Sequence, residues 1–153
     1  MPSRRDQIRM TDDEIRDFLD AGKSLQLATI NKDGTPHLVT MWYGLIDGKI
    51  VLETFEKSQK AVNLKRDPRL ACLLESGTEY NQLKGIQING TAKLVTDKAE
   101  ILEVMKAVLG RNHEMDEKTL EMAAEHGAKK RIAVVVEPTK VVTWDHTKLD
   151  VAY

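Results

Sequence analysis

Two Asp-Gly dipeptides, Asp33-Gly34 and Asp47-Gly48, lie between segments rich in β-branched and apolar residues. Asp-Gly is a strong hairpin signal, because both residue types tolerate the positive φ that tight turns between twisted strands require. Leu25, Leu27 and Thr29 alternate with Gln26, Ala28 and Ile30 ahead of the first turn. Pro36–Leu45 reads as a second strand and Lys49–Phe55, after the second turn, as a third. An antiparallel meander is the arrangement such turns favour.

The remaining chain follows the same logic. Thr11 and Glu14 have capping-box spacing, Ile15, Phe18 and Leu19 form one apolar face, and Gly22 ends that helix. A short helix is expected from Lys57-Ser58-Gln59-Lys60, with Ala61, Val62 and Leu64 packing inward and Asp67-Pro68 stopping it. Arg69–Glu75 and Gly85–Val95 read as strands, the latter with Ile86, Ile88 and Gly90 alternating with Gln87 and Asn89. Asp97 with Glu100 predicts a second capping box, for a helix ended by Gly110, and Asp116 caps a further helix with a Met115–Leu120 staple. Ile132–Val136, ended by Pro138, and Lys140–Trp144 are the last two strands expected. Short antiparallel strands with few helices point to a barrel or sandwich.

The 153 residues suit one domain, with residues 1–10 as an N-terminal arm. A domain of this size buries roughly 70% of the surface of its unfolded chain, enough for a core without disulfides. Cys72, the only cysteine, lies in an apolar run and reads as a buried, inert thiol. A formal charge of −1 selects neither nucleic acid nor membrane. Without an apolar leader core or a run long enough to span a bilayer, the cytoplasm is the expected location.

Several chemistries are missing from the sequence. There is no HExxH pair, Cys-rich zinc set, GxSxG elbow, Walker A loop or GxGxxG after a strand. The positive signal is Lys57-Ser58-Gln59-Lys60, where a strand turns into a helix. Free N–H groups, a capping hydroxyl and two lysines suit a phosphate. Spacing alone reads as simply as an ordinary helix start with solvated lysines. Lys65, Arg66 and Arg69 add positive charge nearby, again either an anion groove or a solvated face. Trp42 and Tyr43 are adjacent aromatics in a strand, so they point to opposite faces. One belongs to the core; the other needs a groove, a second subunit or a ligand.

Taken in order, Leu27-Ala28-Thr29-Ile30, Asp33-Gly34-Thr35-Pro36-His37, Met41-Trp42-Tyr43, the stretch Lys57–Arg69, Gly85–Ala92 and Thr143-Trp144-Asp145-His146 resemble the pyridoxamine 5'-phosphate oxidase-like split barrels. Within them the chain is most similar to the branch of F420-dependent enzymes common in actinobacteria. The resemblance implies a mainly β fold with peripheral helices: a six-stranded antiparallel split β-barrel of Greek-key type, working as a homodimer with cofactor sites at the interface. It implies coenzyme F420 as cofactor, with flavin mononucleotide (FMN) as the alternative, and hydride transfer to an electron-poor double bond of a small conjugated substrate. An FMN oxidase of the pyridoxamine phosphate type, or a protein that binds such a cofactor without turnover, are the other readings. Ser58 and Lys60 match the family's phosphate motif, assisted by Lys57. Val39, Thr40, Met41, Trp42, Glu53 and Thr54 would line the flat ring system, while Tyr80, Trp144 and His146 would approach from the partner chain. Lys129, Lys130 and Arg131 are a second basic group available to an anionic tail. No metal, and no specific acid or base, is implied.

Overall fold

A computed structural model describes residues 1–150 of the chain. β1 (Ser24–Ile30) and β2 (Pro36–Trp42) form the first hairpin, and β3 (Gly44–Ile46) and β4 (Lys49–Phe55) the second. Asp47 and Gly48 have φ of 52° and 76°, and Ile46 pairs with Lys49, so this is a two-residue turn with both central residues left-handed. Gly34, at φ 86°, closes the other turn, with the Asn31 amide donating to the Thr35 carbonyl at 2.9 Å.

The expected second strand is two strands. β2 pairs with β1 and β3 with β4, and the handover falls at Tyr43. Its ring is buried, its hydroxyl donates to the Leu19 carbonyl at 2.5 Å, and its amide to the Lys23 carbonyl at 3.4 Å. Tyr43 therefore anchors the base of α2 (Asp12–Ala21) while the backbone turns from one sheet edge to the other. Burial pushes its phenol pKa up, with only partial opposition from Arg111.

The final two expected strands are instead one, β7 (Arg131–Asp145), and Pro138 lies inside it. Pro138 is tolerated because a bulge sits there: Gly90 pairs with Pro138 but Asn89 pairs with Lys140, leaving Thr139 extra. The Thr139 hydroxyl donates to the Asn89 carbonyl at 3.1 Å. A Cβ on Gly90 would meet the Glu137 carbonyl, so glycine is what lets the two strands approach.

With β5 (Arg69–Ser76) and β6 (Lys84–Val95), the seven strands form one curled antiparallel sheet in the order β2-β1-β5-β6-β7-β4-β3. The expected split-barrel class holds, with seven strands rather than six. Inside the curl, Leu25, Leu27, Leu52, Ile86 and Val134 pack with Tyr43 beneath Leu19 of α2. On the other face, Val51 and Ala133 pack against Val104 and Val108 of α4 (Lys98–Asn112) and Ala124 of α5 (Glu117–Gly127). Ile50, Val51 and Leu52 are all buried because β4 has a core on each face. Each fully buried aliphatic side chain contributes about 1.5–3 kcal/mol. Cys72 is buried among them and its thiol pKa is pushed up to about 12, so it is inert as expected.

Helix starts follow the sequence closely. Thr11 and Glu14 close a full capping box and Asp116 caps α5, but the box expected of Asp97 and Glu100 is only half formed: Asp97 accepts from the Glu100 amide with no return bond from the Glu100 side chain. Gly110 does not stop α4, which runs to Asn112, since a lone glycine in a well-packed helix costs only about 1 kcal/mol. The N-terminal arm, with one short helix α1 (Arg4–Gln7), is tied to β7: the Asp145 amide donates to Ile8 and the Met10 amide to the Thr143 hydroxyl. No described helix is long and apolar enough to cross a membrane.

Candidate functional site

β4 ends at Phe55 and α3 (Gln59–Arg66) begins four residues later, so one tight turn carries Lys57 and Ser58. The Ser58 amide donates to the Phe55 carbonyl at 3.0 Å, which closes that turn. The Ser58 hydroxyl caps α3 by accepting from the Ala61 amide at 3.3 Å and lies 3.0 Å from the buried Thr54 hydroxyl. The amides of Gln59 and Lys60 precede the first intrahelical bond and point out of the helix end. Lys57 is exposed and Lys60 half-buried, and neither forms an ion pair among the described residues. Thr54, Lys57, Ser58 and Lys60 thus meet at one corner with donors and positive charge but no carboxylate partner, which suits a phosphate.

Asn63, fully buried, holds this corner in place. Its amide nitrogen donates to the Thr29 hydroxyl and the Asn31 carbonyl oxygen, both at 3.0 Å, and its own oxygen accepts from Gln59 at 2.8 Å and Arg66 at 3.2 Å. Four bonds satisfy the amide and fix α3 against β1. Sequence reading assigned the inward place to Val62, which is 46% exposed; Asn63 sits between Ala61 and Leu64 on the buried face instead. The usable signal was an asparagine at helical spacing among apolar residues. Beside it, on β2, His37 has a buried Nδ1 without a hydrogen-bond partner.

The two basic groups differ in what they have left to offer. Arg66 donates to the Ile30 carbonyl and to Asn63, and Lys65 lies 3.7 Å from Glu56. Arg69 grips Asp67 through Nε and Nη2, the latter at 2.7 Å, and its hydrogen bonds hold the Asp67 carboxyl at about 2. By contrast, Lys98, Lys129 and Lys130 rim a cavity of about 520 Å³ between α4 and α5, whose lining also holds the carboxylates of Glu56 and Glu125. The Glu56 amide donates to the Lys130 carbonyl at 2.9 Å, which joins that cavity to the Lys57 turn. Lys130, at φ 59°, is one of the few non-glycine left-handed residues.

The other expected site residues divide by strand face. Val39 and Met41 pack toward the barrel core, while Thr40 and Trp42 face outward. Trp42 meets His113 edge-on, with ring centroids 5.2 Å apart. Thr54 faces the α3 corner, but Glu53 points to the opposite side and pairs with Arg131, whose guanidinium stacks 4.0 Å from the Phe55 ring centre. Arg131 Nε is buried and unpartnered. The Tyr80 and His146 rings meet at a tilt with centroids 4.6 Å apart, and the His146 ring Nδ1 lies 2.8 Å from the Tyr80 carbonyl. Trp144 covers Gly85 on the next strand. This aromatic group is at the far end of β7 from Ile132, the partner of Thr54, about 12 residues and on the order of 40 Å of strand away. One chain alone does not bring Tyr80, Trp144 and His146 to the Ser58 corner.

The model of the pyridoxamine 5'-phosphate oxidase family matches residues 11–145. No protein of curated function matches the chain. Among solved structures, the conserved hypothetical protein Rv2991 from Mycobacterium tuberculosis is 39% identical, with a TM-score of 0.94 over 99% of this chain and 95% of its own. An F420 reductase is 22% identical, with a TM-score of 0.62 over 82% of this chain and 94% of its own. HutZ, the heme storage protein from Vibrio cholerae, is 17% identical, with a TM-score of 0.67 over 86% and 94%. The last two are similar to this chain in fold alone.

Proposed function

The chain belongs to the pyridoxamine 5'-phosphate oxidase family, and on that premise we propose that it is a coenzyme F420-dependent oxidoreductase working as a homodimer. The observation that carries the reading is the Thr54–Lys57–Ser58–Lys60 corner, where outward amides and unpaired lysines converge at a helix start. The residues fit a phosphate-bearing flavin-type cofactor: the α3 amides and the Ser58 and Thr54 hydroxyls supply donors, and Lys57 and Lys60 neutralise charge. When bound, a deazaflavin supplies hydride chemistry toward an electron-poor carbon–carbon or carbon–nitrogen double bond.

The choice of F420 over FMN rests on charge. FMN ends at its phosphate monoester, whereas F420 continues into an oligoglutamate tail. Arg66 and Arg69 are occupied, but Lys98, Lys129 and Lys130 lie next to the corner around an open cavity. These three lysines would take the tail.

The dimer reading rests on exposed apolar side chains of the outer sheet face. Leu38 is 68% exposed, Trp42 49% and Leu73 37%. Leu38 stands opposite Ala28, and Leu73 opposite Gln26, on neighbouring strands. A second copy covering this face removes the patch from water and offers a route for its Tyr80, Trp144 and His146 to a corner that one chain leaves open.

The test is a fluorescence titration of cofactor-free protein with F420 and, separately, FMN. Tighter binding of F420 supports the reading, and a screen of conjugated enones and imines with the reduced cofactor then seeks turnover. Preference for FMN overturns the cofactor assignment; binding of both without reduction of any acceptor leaves a carrier rather than an enzyme.

A further inference from the structure

The bulge in β7 opens a second cavity, remote in the fold from the Ser58 corner. β4 begins at Lys49 and its pairing with β7 ends at Val51–Val135, so β7 runs on from Val136 without a hydrogen-bonded strand on that side. Under α2, the gap holds a pocket of about 160 Å³. Ile15, Leu19, Ile50, Ile88, Val136 and Val141 line it, and its walls are almost wholly apolar. Val141 faces inward opposite Ile88 yet remains 46% exposed among the described residues. A pocket of about 160 Å³ with such walls is large enough to take up one small apolar group.

A neighbouring cavity shares Ile15 and Val141 with this pocket. Its wall carries Arg5, Arg9 and Lys140 against a single carboxylate, Asp12. Arg9 pairs with Asp6 at 3.1 Å, but Lys140 has no ion-pair partner among the described residues. The arm backbone that carries Arg5 and Arg9 is bonded to β7 at Ile8 and Met10, and Lys140 is on β7 itself. On the other side of the mouth, Lys49 is paired with Glu137 at 2.8 Å. Positive charge is thus available on one side of the apolar pocket and neutralised on the other.

From this we infer that the mouth is a binding site for a small anionic amphiphile: a short aliphatic carboxylate with its chain under α2 and its head against Arg5 and Lys140. The apolar pocket selects the tail, because its walls offer little polar surface to a hydroxylated one. The rim selects the charge. The site shares no residue with the proposed cofactor corner, so it can be tested whether or not F420 binds.

The experiment is an NMR titration of the full chain with hexanoate, hexan-1-ol and acetate, followed at the amides of Ile15, Ile50 and Val141. Hexanoate should give saturable shifts, with hexan-1-ol at least tenfold weaker and acetate giving none at these positions. Val141→Trp, which fills the mouth from a partly exposed position, should weaken hexanoate at least tenfold. Should that variant fold poorly, the surface double variant Arg5→Glu/Lys140→Glu provides an independent reading, lowering hexanoate to the affinity of hexan-1-ol. No saturable hexanoate shift, equal binding of acid and alcohol in the natural chain, or hexanoate binding untouched in the folded variants overturns the assignment.

Discussion

The Asn63 side-chain amide donates to the Thr29 hydroxyl at 3.0 Å, and that bond ties α3 to β1 across a buried interface. Replacing Asn63 with Ala leaves the buried Thr29 hydroxyl without this partner and removes the bonds to Asn31, Gln59 and Arg66 as well. Because an unsatisfied buried polar group costs about 1–3 kcal/mol, Asn63→Ala should lose at least that much stability in urea unfolding. Cofactor affinity should fall with it, since Ser58 rides on the same helix. Stability within 0.5 kcal/mol (roughly the scatter of neutral surface changes) would show that Asn63 is not the anchor.

Lys60→Ala should weaken cofactor binding by about 1–3 kcal/mol, the range of a lost charge-assisted hydrogen bond. The thermal midpoint of the cofactor-free protein should stay put, because Lys60 forms no ion pair among the described residues. A fluorescence titration reads the first effect and calorimetry the second. Unchanged affinity removes Lys60 from the phosphate corner.

At Gly85 any Cβ would run into the Trp144 indole. Gly85→Ala should therefore destabilise by about 1–3 kcal/mol, as overpacking does. Trp144→Val in the same chain should recover most of that loss, and a double-mutant cycle measured by thermal unfolding gives the coupling. Additive losses would mean that the ring moves aside freely.

If the outer face of β2 pairs with a second copy, Leu38→Lys places a charge in the contact. Light scattering should then give a mass near the 17.3 kDa monomer for the variant and twice that for the natural chain. A natural chain that is already monomeric at micromolar concentration refutes the dimer.

Asp145 sets an acid limb to stability. Burial raises its carboxyl pKa, but the Thr147 hydroxyl and amide, with Lys84 and Lys148, more than offset this and leave it below the ordinary carboxylate value. Such a group stabilises the fold above its unfolded pKa of about 4, and that contribution is lost as pH falls through the folded value. Thermal midpoints taken from pH 7 down to pH 2 should drop less steeply below pH 4 for Asp145→Asn than for the natural chain. Parallel curves would assign the acid limb to other carboxylates.

Much of this arrangement was legible in the sequence because its causes are local. Asp47-Gly48 carries its own turn, Thr11 and Glu14 cap each other three residues apart, and Ile86, Gln87 and Ile88 alternate as the pleat demands. What escaped depends on distant partners. Tyr43 breaks its strand for the sake of the Leu19 carbonyl, and Pro138 stays within a strand because Gly90 stands opposite. The phosphate corner is visible as Lys57–Lys60, whereas Asn63 shows only as an asparagine between Ala61 and Leu64, and its partners Thr29 and Asn31 lie more than thirty residues away. Glu53 and Thr54, adjacent in the chain, separate to opposite faces, a consequence of strand geometry that a shared role had obscured.

The position of β7 between β6 and β4 also governs when this chain can finish folding. The β3–β4 hairpin joins the other strands through β7 alone, and β7 is the last strand in the sequence. A nascent polypeptide halted before Arg131 holds two unconnected pieces, with unpaired edges on β4 and β6 and with Val51 and Leu52 lacking part of their cover. Such edges invite wrong association. Completion of the sheet is therefore an event that follows release of the last strand from the ribosome, and a chaperone's shielding matters most in the interval before it.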